Sequence, residues 1–404
     1  MEFIDKHSSN EAHEKKAAAL ASPSTAPPAL PGPFDSGWLP WLQVIGSFAA
    51  WTNSWGLYNS DSIRSWLFPS VDNCRQLSSR VGHDDDKVGS PETGQFVDRP
   101  SLCTQYWQFV LAQGIVVGSG FGFLFVPCTA FVPQWFNERR SLANGLAASG
   151  SGFGGVIYTI IFRTVEPQLG FGWATRIVGF VAMLMAILML ITVRSKTPKA
   201  PRIRKLIQWQ AFKEKPYWIY SLALLLAFLG IYTPWFFIGQ YAITKDISTN
   251  TTSYLVVIIN TGSIIGRIGL SFIADKTSMI DVAAGSLLCS GILVLSWIAI
   301  GNTIGLIIFA LLYGIFAGSF LGICALVTVQ LSKERMSTLG TRIGQLCMLG
   351  ALSVLVGTPI SGTILGSHKG FLGLQIFSGI AILVAAAAVV ASRMALVGFI
   401  LRAR

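Results

Sequence analysis

Ten stretches of about twenty residues carry no Asp, Glu, Lys or Arg, or only one of them. They run over 38–60, 104–133, 141–162, 172–193, 217–242, 252–273, 281–300, 304–331, 341–366 and 371–392. A helix rises about 1.5 Å per residue, so about twenty residues cross a hydrocarbon core about 30 Å thick. The 51 uncharged residues from Val282 to Ser332 form two such spans, broken at Gly301-Asn302. Lipid offers the backbone no hydrogen-bond partner, so each segment must satisfy its own N–H and C=O groups. The expected fold is all-α: a polytopic membrane protein of about ten transmembrane helices. Composition removes the soluble alternative. Of 404 residues 52% are apolar and 12% charged, where a soluble domain carries roughly 25% charged. Forty-one glycines, twelve tryptophans and twenty-six phenylalanines fit helices packed on one another and on lipid.

The formal charge of +11 would make nucleic acid a candidate partner in a soluble protein. Here eight of the thirty basic residues fall between Arg194 and Lys215, as expected of a cytoplasmic loop. With the N-terminus inside, the connection 332–342 and the tail residues Arg402 and Arg404 share that compartment. The far-side connections carry few basic residues: Arg163 and Arg176 at helix ends, Lys245 and Lys369. An even number of spans puts both termini in the cytoplasm. The expected organisation is a disordered cytoplasmic tail over 1–34, four spans over 35–193 interrupted by a polar segment 61–100, a basic cytoplasmic loop 194–215, six spans over 216–394 and a cytoplasmic tail 395–404. The first 34 residues have no basic region leading into an apolar run, unlike a signal peptide. The sequon Asn250-Thr251-Thr252 lies in a far-side loop too short to favour glycosylation. Span length admits plasma or vacuolar membrane, and the plasma membrane is the expected one.

Glycine spacing repeats across the chain. Gly114, Gly118 and Gly122 recur at every fourth position in one span, and Gly314, Gly318 and Gly322 do so about 200 residues later. Each set precedes a short charged turn, Asn137-Glu138-Arg139-Arg140 or Lys333-Glu334-Arg335, and then a further Gly-rich span. This is a parallel internal duplication. Small residues at that spacing let two backbones approach closely, so these six glycines are expected helix-packing and gating positions.

Asp35-Ser36-Gly37-Trp38-Leu39-Pro40-Trp41 leading into Gly46-Ser47-Phe48 resembles the first-helix signature of monocarboxylate-transporter-like members of the major facilitator superfamily. The stretch from Ser101 to Gln108, Ala112-Gln113-Gly114, the run Ala147 to Ser151 and the run Gly170 to Arg176 are similar to the fungal branch of that family. Gly266-Arg267 followed by Ala274-Asp275-Lys276 resembles the charged connection between its eighth and ninth helices, which implies a gating role for Arg267, Asp275 and Lys276. The resemblance implies a two-lobed bundle of twelve helices that moves a substrate by alternating access, its cargo a small organic anion such as a monocarboxylate. It covers 35–60 and 101–394. The second and third helices of the pattern would fall between Asp61 and Arg99, where the run from Asp61 to Lys87 is too polar to span a bilayer. Two absent helices leave the parity of later spans unchanged. They also raise a second reading, a non-transporting sensor or inactive truncated paralogue.

An ionisable residue within a span is a functional candidate, and Arg267 is the clearest. Its planar guanidinium offers fixed paired donors to a substrate carboxylate. Equally open is a purely structural role, an ion pair with Asp275 in the cytoplasmic gate. Further candidates for the substrate site are Asn53, Asn59, Asn260, Tyr158, Tyr232 and Gln345. Asn53 and Asn59 point about 120° apart, so at most one faces a cavity. For Tyr158, Tyr232 and Gln345 an inter-helix hydrogen bond competes with substrate contact. In the proton-coupled relatives that the chain resembles, an Asp precedes the helix-eight Arg by one turn and the first helix carries a Lys. Ser263 and Asn59 stand there, so no proton relay of Asp, Lys and Arg is visible. Pro127, Pro234 and Pro359 interrupt spans as kinks or hinges.

Enzyme chemistry finds no support. Gly150-Ser151-Gly152-Phe153-Gly154-Gly155 satisfies GxGxxG but lies inside an apolar span with no preceding strand, and is expected to pack helices. His7, His13, His83 and His368 form no triad or metal spacing, and the six cysteines contain no CxxC pair. No metal, cofactor or obligate protein partner is expected, only lipid and a small-molecule substrate.

Overall fold

The computed structural model describes residues 37–57, 115, 117–136, 138–194, 207–332, 338–366 and 370–397. The tail 1–34, the polar segment 61–100, Asn59 and Gly114 lie outside them.

Every regular element among the described residues is helical: α1 (Trp38–Trp51), continued by the π-helical turn Thr52–Gly56, α2 (Gly118–Trp135), α3 (Arg140–Thr192), α4 (Lys215–Gly230), α5 (Thr233–Thr244), α6 (Thr249–Lys276), α7 (Met279–Ser296), α8 (Thr303–Leu331), α9 (Leu339–Leu365) and α10 (Gly370–Val397). Eight spans within them are long and apolar enough to cross a membrane. They cover the eight expected segments from 141 onward, and the other two are helical where described.

The breaks reflect local chemistry. α3 is two spans, Arg140–Gly170 and Gly172–Thr192, parted at Gly170, whose φ of 76° only glycine adopts without strain. Asn302 stops the preceding span and caps α8, its side chain accepting the Gly305 N–H at 2.9 Å. α4 and α5 share one span, broken at Ile231-Tyr232 ahead of Pro234. The freed Ile231 carbonyl accepts the Tyr313 hydroxyl at 2.5 Å. α9 begins at Leu339, two residues before the expected span 341–366, so Arg342 lies inside a helix, and α10 continues to Val397.

Glycine sets the helix packing. The first limb of α3 lies between α1 and α6. A side chain at Gly150 or Gly154 would fall within 3.0 Å of the Phe48 or Thr52 carbonyl oxygen on α1, and one at Gly145 or Gly152 would meet the Arg267 or Asn260 carbonyl on α6. The GxGxxG string therefore packs helices. The second expected set behaves likewise: a Cβ at Gly314 would strike the Ile259 carbonyl, at Gly318 the Ser263 side chain, and at Gly322 would crowd the Arg267 side chain at 3.2 Å. The first set differs. Among the described residues, a Cβ at Gly118 or Gly122 meets nothing within 4 Å, so the same spacing packs against no described helix there.

Candidate functional site

A cavity of about 650 Å³ lies between the N-terminal helices α1 and α2 and the C-terminal helices α4, α6, α8 and α9. Trp51, Trp55, Phe121 and Phe125 line it from one side. Leu224, Phe228, Tyr232, Leu321, Cys324, Thr328, Ile343, Leu346 and Cys347 line it from the other. Gly118 and Gly122 border it, which explains the open space beside them. Pro359, inside α9, also borders it, whereas the side chain of Pro127 is outside the described set. Among the described residues, Arg267 is the one charged side chain on the wall.

Arg267 is buried, with 1% of its surface exposed. Its Nη1 donates to the Ala148 carbonyl of α3 at 2.6 Å and its Nε donates to Ser263 Oγ at 3.1 Å. The guanidinium carbon stands 5.4 Å from the centre of the Trp51 ring, a cation–π contact. Among the described residues no carboxylate pairs with it. Two of its five N–H groups are committed to these bonds, and among the described residues no negative charge offsets its own in this apolar setting.

The gate ion pair between Arg267 and Asp275 is not formed. Asp275 lies two turns further along α6 and reaches across to the start of α3. Its two oxygens accept the backbone N–H groups of Ser141 at 2.7 Å and Leu142 at 2.8 Å. A helix leaves its first N–H groups without intrahelical partners, and a carboxylate satisfies them while complementing the positive helix end. Asn144 Nδ2 donates to the Gly322 carbonyl of α8 at 2.8 Å beside it. Together with the Arg267 bond, these contacts latch α3 to α6 and α8. Lys276 takes no part in the latch bonds, and its Nζ stands 4.3 Å from the centre of the Phe272 ring.

The remaining candidates divide. Tyr232 lines the cavity. Asn53 and Tyr158 do not: Tyr158 donates to Asn53 Oδ1 at 2.8 Å, and Asn53 Nδ2 donates to the Ala182 carbonyl at 2.8 Å, tying α1 to both limbs of α3. Asn260 is buried where α6 meets α3, its amide against Gly155 and its Oδ1 accepting Trp235 Nε1 at 3.4 Å. Gln345 is buried on α9 with both amide atoms unpartnered among the described residues.

Two features carried little or no signal in the sequence. Arg342 is fully buried and forms a forked pair with Glu214, Nη1 to Oε2 at 2.9 Å and Nη2 to Oε1 at 2.6 Å, while its carbonyl accepts the Tyr217 hydroxyl at 3.0 Å. Its one sign was a lone Arg just inside an uncharged run. The aromatic wall gave none, because Trp51, Trp55 and Phe125 read as any other aromatics in an apolar chain.

Comparison with known proteins bears on this arrangement. A family model described as the Major Facilitator Superfamily matches residues 96–340. The chain is 37% identical over 400 residues to the MFS-type transporter dbaD of Emericella nidulans, aligning 91% of this chain and 89% of that protein. It is 29% identical to the aspyridones efflux protein apdF of the same species, with 90% and 79% aligned. It is 32% identical over 297 residues to the agnestins efflux protein AgnL12 of Paecilomyces divaricatus, with 73% and 67% aligned. In fold it is similar to a bacterial homologue of the iron transporter ferroportin in an outward-facing state, at a TM-score of 0.56 and 14% identity over 88% of this chain and 89% of that one. The transporter FucP in its outward conformation matches at 0.56 and 12% identity over 88% and 86%. The chain is therefore an integral membrane transporter that belongs to the Major Facilitator Superfamily.

Proposed function

We propose that the chain is a secondary-active transporter of an organic anion, a carboxylate in its simplest form, which it moves by alternating access with Arg267 as the anion anchor. The observation that carries this reading is the buried guanidinium on the cavity wall with no carboxylate partner among the described residues. A lone charge in an apolar, water-poor setting costs several kcal/mol. An anionic substrate would remove that cost on binding. The committed Nε and Nη1 bonds fix the plane of the guanidinium and leave its outer donors for the ligand. Efflux is the proposed direction, because two of the relatives are named efflux proteins. The basic composition of the loop 194–215 supports placing the α3–α6 latch on the cytoplasmic side, and we take the membrane to be the plasma membrane.

Uptake of radiolabelled organic anions into proteoliposomes under an imposed gradient tests the assignment. Arg267→Gln should lower anion transport at least tenfold, with Arg267→Lys intermediate because a lysine lacks the paired planar donors. Unchanged kinetics in Arg267→Gln would remove that residue from the substrate site. A second reading, a non-transporting sensor, is favoured by the polar composition of 61–100. Background transport for every anion tried, by correctly inserted protein, would select it.

A further inference from the structure

Trp55 and Tyr232 face each other across the cavity with their rings parallel to within 2° and their centroids 5.5 Å apart. Trp55 comes from the π-helical end of α1 and Tyr232 from the α4–α5 break, so this stack joins the N-terminal helices to the C-terminal ones. Each ring is carried on backbone that is not regular α-helix. Trp55 sits in the turn Thr52–Gly56, and Tyr232 sits at the interruption ahead of Pro234. Such irregularities occur where a helix must move or present a group, and they let a side chain shift without dragging a rigid helix with it. Both rings have further aromatic support. Phe125 packs edge-on against Trp55 at 5.9 Å, and Phe228 stacks behind Tyr232 at 6.2 Å.

The anion anchor lies one turn away on the same wall. Trp51, under the Arg267 guanidinium, and Trp55 are four residues apart and share Phe125 as an edge-on neighbour, at 4.8 Å and 5.9 Å. One turn is about 5 to 6 Å. A carboxylate on Arg267 therefore places a directly attached fused ring at the level of the Trp55–Tyr232 pair.

We propose that Trp55 and Tyr232 are specificity-determining residues that part to take a planar aromatic ring between them, so that the substrate is a flat arene-type anion rather than a small aliphatic monocarboxylate. This rests on Arg267 as anion anchor and goes further by naming the body of the substrate. Offset stacking on two ring faces favours a flat π-system over a saturated ring of the same outline, whose axial hydrogens hold both faces away. The cavity volume agrees. Pockets of roughly 300 to 1,000 Å³ hold drug-sized ligands, and a short aliphatic acid would leave most of 650 Å³ unfilled.

Two probes of matched size and equal charge test it: 2-naphthoate and decahydro-2-naphthoate. Binding to the full chain in nanodiscs is followed by equilibrium dialysis. The wild type should bind the flat probe about tenfold more tightly, equal to about 1.4 kcal/mol. Trp55→Leu should bring the ratio close to one, and Trp55→Phe should keep most of it. Equal affinity of the two probes for the wild type overturns the clamp and leaves the anchor standing. An undiminished ratio in Trp55→Leu does the same. Binding of neither probe, or identical binding by Arg267→Gln, overturns the anchor and the clamp with it. The wild-type comparison decides the matter even if Trp55→Leu fails to fold.

Discussion

The latch at the start of α3 permits a worked prediction. Asp275 makes two charge-assisted bonds, to Ser141 N–H at 2.7 Å and to Leu142 N–H at 2.8 Å. A bond to a charged group contributes about 1.5 to 3 kcal/mol, and a negative charge at a helix start adds about 0.3 to 1 kcal/mol. Asp275→Asn keeps one acceptor but turns an NH₂ toward the second N–H. It should therefore lose one bond and the charge term, about 2 to 4 kcal/mol in all. While the latched form predominates, that raises the unlatched fraction roughly 30-fold to several hundred-fold, since about 1.4 kcal/mol is a factor of ten. Cys347 reports it. This thiol lines the cavity eight residues beyond the start of α9, on the side of the basic loop. With the other five cysteines at 74, 103, 128, 289 and 324 replaced by serine, an impermeant maleimide added from that side should alkylate Cys347 faster in Asp275→Asn by that factor. The rate tracks the open population as long as relatching outpaces alkylation. An increase of less than threefold, in protein that remains monodisperse and inserted, would mean that Asp275 does not hold the two sets of helices together.

The same seam predicts an effect of opposite sign. Ser141 Oγ and Ser271 Oγ are buried there without partners among the described residues, and each such group costs about 1 to 3 kcal/mol while it stays dry. Ser271→Ala should favour the latched form and slow Cys347 alkylation about fivefold. Glycines of different surroundings should separate cleanly in thermal unfolding. Gly266→Ala drives a Cβ into the Ile315 backbone and should destabilise by about 1 to 3 kcal/mol, whereas Gly118→Ala, which meets no described neighbour within 4 Å, should fall within about 0.5 kcal/mol of the wild type. Glu214→Gln strands the buried Arg342 guanidinium and should cost about 2 to 4 kcal/mol, part of which the double variant with Arg342→Gln recovers.

The spans were legible because lipid imposes the same demand along every helix: about twenty residues without charge. The break at Gly301-Asn302 was legible because Asn favours a helix start, and here it caps α8. Arg267 stood out because a charge inside a span needs a reason. Its partners could not be read, since the Ala148 carbonyl lies 119 residues away and only packing brings it near. Spacing alone also failed to tell a packing glycine from one on a cavity wall. Gly118 and Gly122 repeat the interval of Gly314, Gly318 and Gly322, yet among the described residues only the latter set meets a neighbouring helix. Polar residues posed the same ambiguity. Sequence left open whether Asn53 and Tyr158 face a cavity or bond between helices; in the structure they bond to each other, because in lipid a polar side chain finds a partner wherever one is within reach.

Two contacts between the N-terminal and C-terminal helices lie at different depths, and under the proposed alternating access this separation would give the fold a route to alternation. The latch sits at Ser141 and Leu142 on α3. The Trp55–Tyr232 stack sits beside Gly56, which abuts Gly154 on the same helix. Thirteen residues of α3 separate the two levels, about 20 Å along its axis. The intervening seam brings α3 close to the α6 backbone at Gly145 and Gly152, so it has little side-chain freedom with which to absorb movement. A rigid seam converts motion at one end into rocking about the middle. In this structure both contacts are made, and an anion held by Arg267 would part the aromatic pair while the Asp275 latch stays closed. Under the proposed mechanism, such a coupling would tie the opening of one end to occupancy of the cavity between them.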